Sequence, residues 1–185
     1  GLGTAHRVQN RPDEALVSYR LAMVLDPKYA YPHNGLGNIH YMRGEFEEAI
    51  KSYTRAIELE PDYAHPHNGL ANVYADMARH AEAIQNYQRA IEIGGVDDHE
   101  LAIFYNGLGN GYADSDERED AIEAYLQAIK LDPGYAFPHS GLGGTYADLG
   151  NNDAAYDSFR RAIELGGLGD RELAVVYNGF GNVLR

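Results

Sequence analysis

Six copies of one three-residue phrase punctuate this chain. Gly-Leu-Gly begins at Gly1, Gly35, Gly107 and Gly141, Gly-Leu-Ala at Gly69, and Gly-Phe-Gly at Gly179. The central residues Leu2, Leu36, Leu70, Leu108, Leu142 and Phe180 are 34, 34, 38, 34 and 38 residues apart. A period of that length marks stacked helical hairpins, each too small to bury its apolar face without its neighbours. One domain spanning residues 1–185 is expected, with units near 1–29, 30–63, 64–97, 98–135 and 136–169 and a partial unit at 170–185.

One unit shows how the period is built. Pro32 stands in a first helical turn, where its missing N–H is tolerated, and the helix runs to Met42 before Arg43-Gly44-Glu45 breaks it. A second helix opens on the acidic pair Glu47-Glu48, which suits a helix N-terminus, and carries Ala49, Tyr53, Ala56 and Leu59 on one face. Glu60-Pro61-Asp62 ends it. The same stripe recurs as Ala15, Tyr19, Ala22; Ala83, Tyr87, Ala90; Ala121, Tyr125, Ala128; and Ala155, Phe159, Ala162. Small residues let helices approach and the aromatic fills the space between hairpins. Where Gly94-Gly95 and Gly166-Gly167 replace the acidic-proline turn, four extra residues start the next helix a turn earlier, with Asp97 or Asp98, and Asp170, as expected N-caps.

These residues resemble the tetratricopeptide repeat family: a Leu-Gly pair, an aromatic three residues after that Gly, then Ala, aromatic, Ala and Pro in order. The match recurs five times. The resemblance implies an all-α, right-handed superhelical solenoid of antiparallel helix pairs, whose first helices line the concave side and whose second helices form the outside. At the early aromatic position of the family this chain has His33, His67 and His139, with Tyr105 and Tyr177 elsewhere.

A ligand is therefore sought on the first helices. Asn34, Asn68, Asn106 and Asn178 stand two residues before the central apolar residue, and Asn38, Asn72, Asn110 and Asn182 two after it, so each pair is i, i+4 on one helix face. Ser140 and Gly144 interrupt both rows. Side-chain amides donate and accept, which suits the backbone of an extended peptide of any sequence. The rows look like the asparagine ladder of the tetratricopeptide superhelix of O-linked N-acetylglucosamine transferases, with Asn here one residue earlier than in that phrase. The structural alternative is a hydrogen bond from each amide to a neighbouring helix.

Tyr31, His65, Ile103, Phe137 and Val175 lie three residues before the first row and offer an apolar shelf, with helix packing as the alternative, favoured for Ile103 and Val175. Asp76, Asp114 and Asp148 lie further along the same helices. With a net charge of −13 they point to a neutral or basic partner segment. The same charge opposes nucleic acid and anionic membrane. Chaperone-binding family members clamp a carboxylate with Lys and Arg; on the corresponding face only Arg7 and Arg185 are basic, so that mode is not expected.

Catalytic readings are weaker. The three equivalent histidines sit on helices whose axes stand about 8–10 Å apart, too far for one zinc with bonds near 2 Å. The Gly-Leu-Gly phrases lack the preceding strand and the Lys-Ser/Thr of a phosphate loop. The Gly after the central residue has a packing reason in close helix contact; the pattern gives no such reason for the Gly before it, and exposure of backbone to a bound peptide is one reading of it. No cofactor, metal or enzyme activity is expected. Without cysteine the chain fits a reducing compartment, the cytoplasm. It opens in mid-repeat without Met and reads as part of a longer array. The expected function is a binding module or scaffold for an extended protein segment. A substrate-recognition or sensor arm of a larger enzyme is the alternative, as is self-assembly through open ends, since the last helix leaves Tyr177, Phe180 and Leu184 partly uncovered.

Overall fold

The structure is a computed structural model and describes residues 12–184, so the phrase at Gly1–Gly3, Arg7 and Arg185 lie outside the described residues. Two compact units, Gly1–Gly94 and Gly95–Arg185, divide the chain between two glycines. Among the described residues there are ten α-helices and no strand. The first unit holds α1 (Pro12–Leu25), α2 (Ala30–Met42), α3 (Phe46–Leu59), α4 (Ala64–Asp76) and α5 (His80–Ile93). The second holds α6 (Asp98–Asp114), α7 (Arg118–Leu131), α8 (Ala136–Asp148), α9 (Asn152–Leu165) and α10 (Asp170–Val183).

Three-residue turns close the pairs α2/α3, α4/α5, α6/α7 and α8/α9, so the second helix of each pair runs back along the first. The middle residue of each turn has positive φ: Gly44 at 72°, Ala78 at 56°, Asp116 at 68° and Gly150 at 73°. The same two backbone bonds finish each first helix. At Gly44 its N–H donates to Tyr41 O and the Glu45 N–H to His40 O, both at 2.9 Å. This is a left-handed C-terminal stop. Glycine marks it in two repeats and Ala78 or Asp116 occupies it in the others.

Within the first unit α1 packs on α2, α3 on α4, and the first helices α2 and α4 on each other. Within the second, α7 packs on α8, α9 on α10, and α6, α8 and α10 touch in sequence. The core is a row of small clusters, Ala15, Tyr19, Leu36 and Ile39, then Ala49, Tyr53, Leu70 and Val73, in the first unit. In the second, Ala121, Tyr125 and Leu142 form one cluster and Ala136, Ala155, Phe159, Ala162, Leu168 and Val176 another. The four-residue insertion lengthens α6 to 17 residues against 13 in α2, α4 and α8. Asp97 caps α6, its carboxylate accepting from the Glu100 N–H at 2.8 Å. Asp170, expected as a cap, is instead the first residue of α10; Gly169 precedes it in the cap position without a side chain to accept a bond.

Candidate peptide-binding face

The central aromatic of each second helix organises the face. The Tyr53 ring lies between two glycines: a Cβ on Gly37 of its own hairpin, or on Gly69 of the next, would stand 2.5 Å from ring carbons. Tyr125 sits likewise against Gly109 and Gly141, and Phe159 against Gly143 and Gly179. Within each unit the glycine before the central residue is therefore covered by the ring of the preceding second helix, as at Gly35, Gly69, Gly141 and Gly179. This packing, rather than exposure of backbone to a peptide, accounts for glycine there.

The same rings engage the second Asn row. The Tyr53 hydroxyl donates to Asn38 Oδ1 at 2.7 Å, Tyr87 to Asn72 Oδ1 at 2.6 Å, and Tyr125 to Asn110 Oδ1 at 2.7 Å. Burial, then the charge of Asp114, raises the Tyr125 pKa well above the ordinary phenol value. Where the aromatic is Phe159, with no hydroxyl, the residue fifteen positions earlier is Gly144. The interruption of the Asn row thus coincides with the loss of the hydroxyl. Asn182 on α10 is exposed.

In the first row, Asn34 is buried and its Nδ2 donates to the Tyr63 hydroxyl at 3.1 Å. Asn106 is also buried and Asn68 half-buried. The Oδ1 atoms of all three are covered by protein and accept no hydrogen bond among the described residues. Asn178 is exposed. Of the two rows, the second is better placed to offer polar atoms outward, through its Nδ2 donors.

Rings extend the shelf beyond the residues the pattern offered. Tyr31, 49% exposed, stacks on Tyr63 with centroids 4.6 Å apart; Tyr29 lies 5.3 Å from Tyr31, and His65 5.2 Å from Tyr63. Four rings thus run in series on the first unit. In the second, His99, Tyr135 and Phe137 form a shorter series, with centroids 5.6 and 5.4 Å apart. Phe137 is half-buried against the Phe159 cluster, Ile103 is half-buried and Val175 is exposed. Tyr29, Tyr63 and Tyr135 were not singled out by periodicity. Their signal is the recurring Tyr-Ala-aromatic-Pro phrase at Tyr29–Pro32, Tyr63–Pro66 and Tyr135–Pro138. Burial, then the charge of Asp132, pushes the Tyr135 pKa up to about 12.

The three acids lie at the C-terminal ends of α4, α6 and α8 and are exposed. Asp76 accepts from the Tyr41 hydroxyl at 2.8 Å. Burial, with that hydrogen bond and the Asp76 charge, pushes the Tyr41 pKa up to about 12. Asp148 lies 4.0 Å from the Arg118 guanidinium, which also pairs with Asp116. Arg118 places a cation at this edge that the sequence pattern did not assign there. The half-buried His33, His67 and His139 have pKa values lowered by burial. Arg55, Arg89 and Arg161 add to the effect. Among the described residues no three His, Cys, Asp or Glu side chains converge as a metal site. No helix among them is long and apolar enough to cross a membrane.

Family models described as TPR repeat match residues 3–44 and 37–77, and models described as Tetratricopeptide repeat match 62–133 and 106–169. No protein of curated function matches the chain by sequence. Among solved structures, MamA is 27% identical with a TM-score of 0.74, the match covering 89% of this chain and 94% of that one. YrrB, a TPR protein with an unusual peptide-binding site, is 21% identical with a TM-score of 0.71 over 89% of this chain and 81% of that one. The pilF protein of Pseudomonas aeruginosa is 18% identical with a TM-score of 0.82 over 98% and 85%. The last two likenesses concern the fold.

Proposed function

The chain belongs to the tetratricopeptide repeat family, a family of protein-interaction modules, and on that premise we propose that its first helices hold an extended, neutral or basic segment of a partner protein. The observation that carries the reading is the series Tyr29, Tyr31, Tyr63 and His65 on the first unit, with two rings about half exposed. Tyr31, Asn34 and Asn38 are spaced i, i+3, i+7, as are His65, Asn68 and Asn72, so each ring shares a helix face with its Asn pair. The rings take ligand side chains, including proline or an arginine guanidinium. The Nδ2 groups of Asn38 and Asn72 donate to ligand carbonyls. Neighbouring helix axes stand about 8–10 Å apart, roughly three residues of an extended chain at 3.1–3.4 Å each, so the reading gives one amide contact every third residue. Asp76 supports a basic side chain beyond them.

In the second unit, Phe137, Asn106, Asn110, Asp114 and Asp148 are assigned the same role on α6 and α8, and Asn178 and Asn182 on α10. The work is recognition, without turnover. The test is an unbiased peptide array probed with the chain and its Tyr31→Ala variant at two salt concentrations. Capture of extended basic peptides that falls about tenfold in the variant, and weakens with salt, is the expected result. Equal capture by both proteins rejects the aromatic series as the ligand site.

A further inference from the structure

On the first helices of the first unit, the Asn and Tyr side chains near the ring series turn donors to a ligand rather than acceptors. In the second Asn row the acceptor is engaged: Asn38 Oδ1 takes the Tyr53 hydroxyl and Asn72 Oδ1 that of Tyr87. Each amide keeps its Nδ2, with two N–H donors, on the other side. In the first row the Oδ1 atoms of Asn34 and Asn68 are covered by protein. The Tyr63 hydroxyl accepts from Asn34 Nδ2 at 3.1 Å, and its own O–H remains a donor. The second unit repeats the arrangement, with Asn106 Oδ1 covered and Asn110 Oδ1 bonded to the Tyr125 hydroxyl. A β-strand on this face would bring an N–H for every carbonyl, whereas these side chains answer the carbonyls. Proline has a carbonyl and no N–H, so a proline-rich backbone matches the donor set.

Spacing selects the same ligand. The first helices α2 and α4 pack side by side, and neighbouring helix axes stand about 8–10 Å apart. A polyproline II chain returns to the same face every three residues, about 9.3 Å, whereas a β-strand returns every two, at roughly 6.6 Å. The polyproline II repeat is the one that keeps register with Asn38 and Asn72. The rings add a bed without slots. Tyr31 stacks on Tyr63 at 4.6 Å between centroids, and Tyr29 and His65 continue the series at 5.3 and 5.2 Å. A group entering between two rings needs roughly 3.5–4 Å on each side, so ligand groups lie on the series and not within it. Prolyl rings do so at little entropic cost, because a polyproline II chain is ordered before it binds. Asp76, exposed at the end of α4, and the net charge of −13 favour basic residues among the prolines. We infer, on the premise that this face is the ligand site, that its occupant is a basic, proline-rich segment in the polyproline II conformation. Its prolyl rings lie on the tyrosine series, and every third carbonyl accepts from Asn38 or Asn72 Nδ2.

The test measures fluorescence anisotropy of two labelled peptides titrated with the whole chain: five repeats of Pro-Pro-Arg, and five of Val-Thr-Arg, equal in length and charge. The Pro-Pro-Arg peptide is expected to bind saturably and about tenfold more tightly than its counterpart. Tyr31→Ala is expected to weaken that binding about tenfold, and Tyr29→Ala, at the other exposed ring, severalfold. Circular dichroism verifies that both variants keep their helicity, as substitutions at exposed positions should. Equal or tighter binding of the Val-Thr-Arg peptide that still depends on Tyr31 overturns the proline-rich assignment and leaves this face as the ligand site. Absence of binding by either peptide, or binding that both ring variants leave unchanged, overturns the assignment and the ligand site together.

Discussion

The hydroxyl of Tyr53 lies 2.7 Å from Asn38 Oδ1, although Tyr53 is almost wholly buried and Asn38 only partly so. The pair is therefore asymmetric. Asn38→Ala removes the acceptor of a hydroxyl on an almost wholly buried ring and is expected to cost about 1–3 kcal/mol, whereas Tyr53→Phe leaves an amide that water can reach and costs about 0.5–1.5 kcal/mol. Together they are expected to cost less than their sum, as Gly144 beside Phe159 exemplifies. Urea unfolding of the two single variants and the double variant measures this coupling; strict additivity would contradict it. Asn72→Ala and Asn110→Ala carry the same penalty, so they probe folding as well as any ligand.

Two adjacent glycines in α8 should respond to alanine with opposite sign. At Gly143 the new Cβ stands 2.5 Å from Phe159 Cδ1, so Gly143→Ala is expected to destabilise by about 1–3 kcal/mol. At Gly144 nothing lies within 4 Å, and the better helix propensity of alanine is expected to stabilise by roughly 1 kcal/mol. Thermal melts of the two variants decide it, and a shift in the same direction for both would remove the ring contact as the explanation.

Ala78 holds a φ of 56° in a turn where Gly44 and Gly150 adopt nearly the same backbone. Ala78→Gly relieves a left-handed alanine and is expected to stabilise by about 0.5–1 kcal/mol after the larger entropy of the unfolded glycine is included. Denaturant midpoints compare it with Gly44→Ala, which is expected to move the other way.

The half-buried histidines set an acid limit. Burial holds His33, His67 and His139 neutral in the fold, lowering each pKa from the ordinary 6.5. Below that value the unfolded chain binds more protons, so this contribution is complete at higher pH and lost as pH falls from 6.5 towards the lowered folded values. His67→Tyr, carrying the residue found at the equivalent Tyr105, is expected to flatten the decline in melting temperature between neutral and mildly acidic buffer. An unchanged slope would assign the decline to other groups.

Helix order, hairpin pairing and the lengthened α6 were legible because each depends on a local pattern: period, proline, and the Gly94-Gly95 insertion. The glycine before the central residue was not, because the ring that requires it comes from the preceding hairpin. The Asn rows could be read as positions on a helix face, but the partner of Asn38 is fifteen residues downstream on another helix. Tyr63 escapes the sequence pattern for a related reason. It belongs to the link between α3 and α4, where helical periodicity has no register, and its ring contacts Tyr31 from the neighbouring hairpin.

A ring seated on Gly37 of one hairpin and Gly69 of the next contributes to the intrinsic stability of its own repeat and to the nearest-neighbour coupling term of the array. When a single side chain carries both, a repeat has little means of melting alone, and the first unit should lose its hairpins cooperatively. Enlarging Gly69 alone, on the receiving side of that coupling, would leave each hairpin its own contacts and allow unfolding to spread stepwise from one repeat to the next.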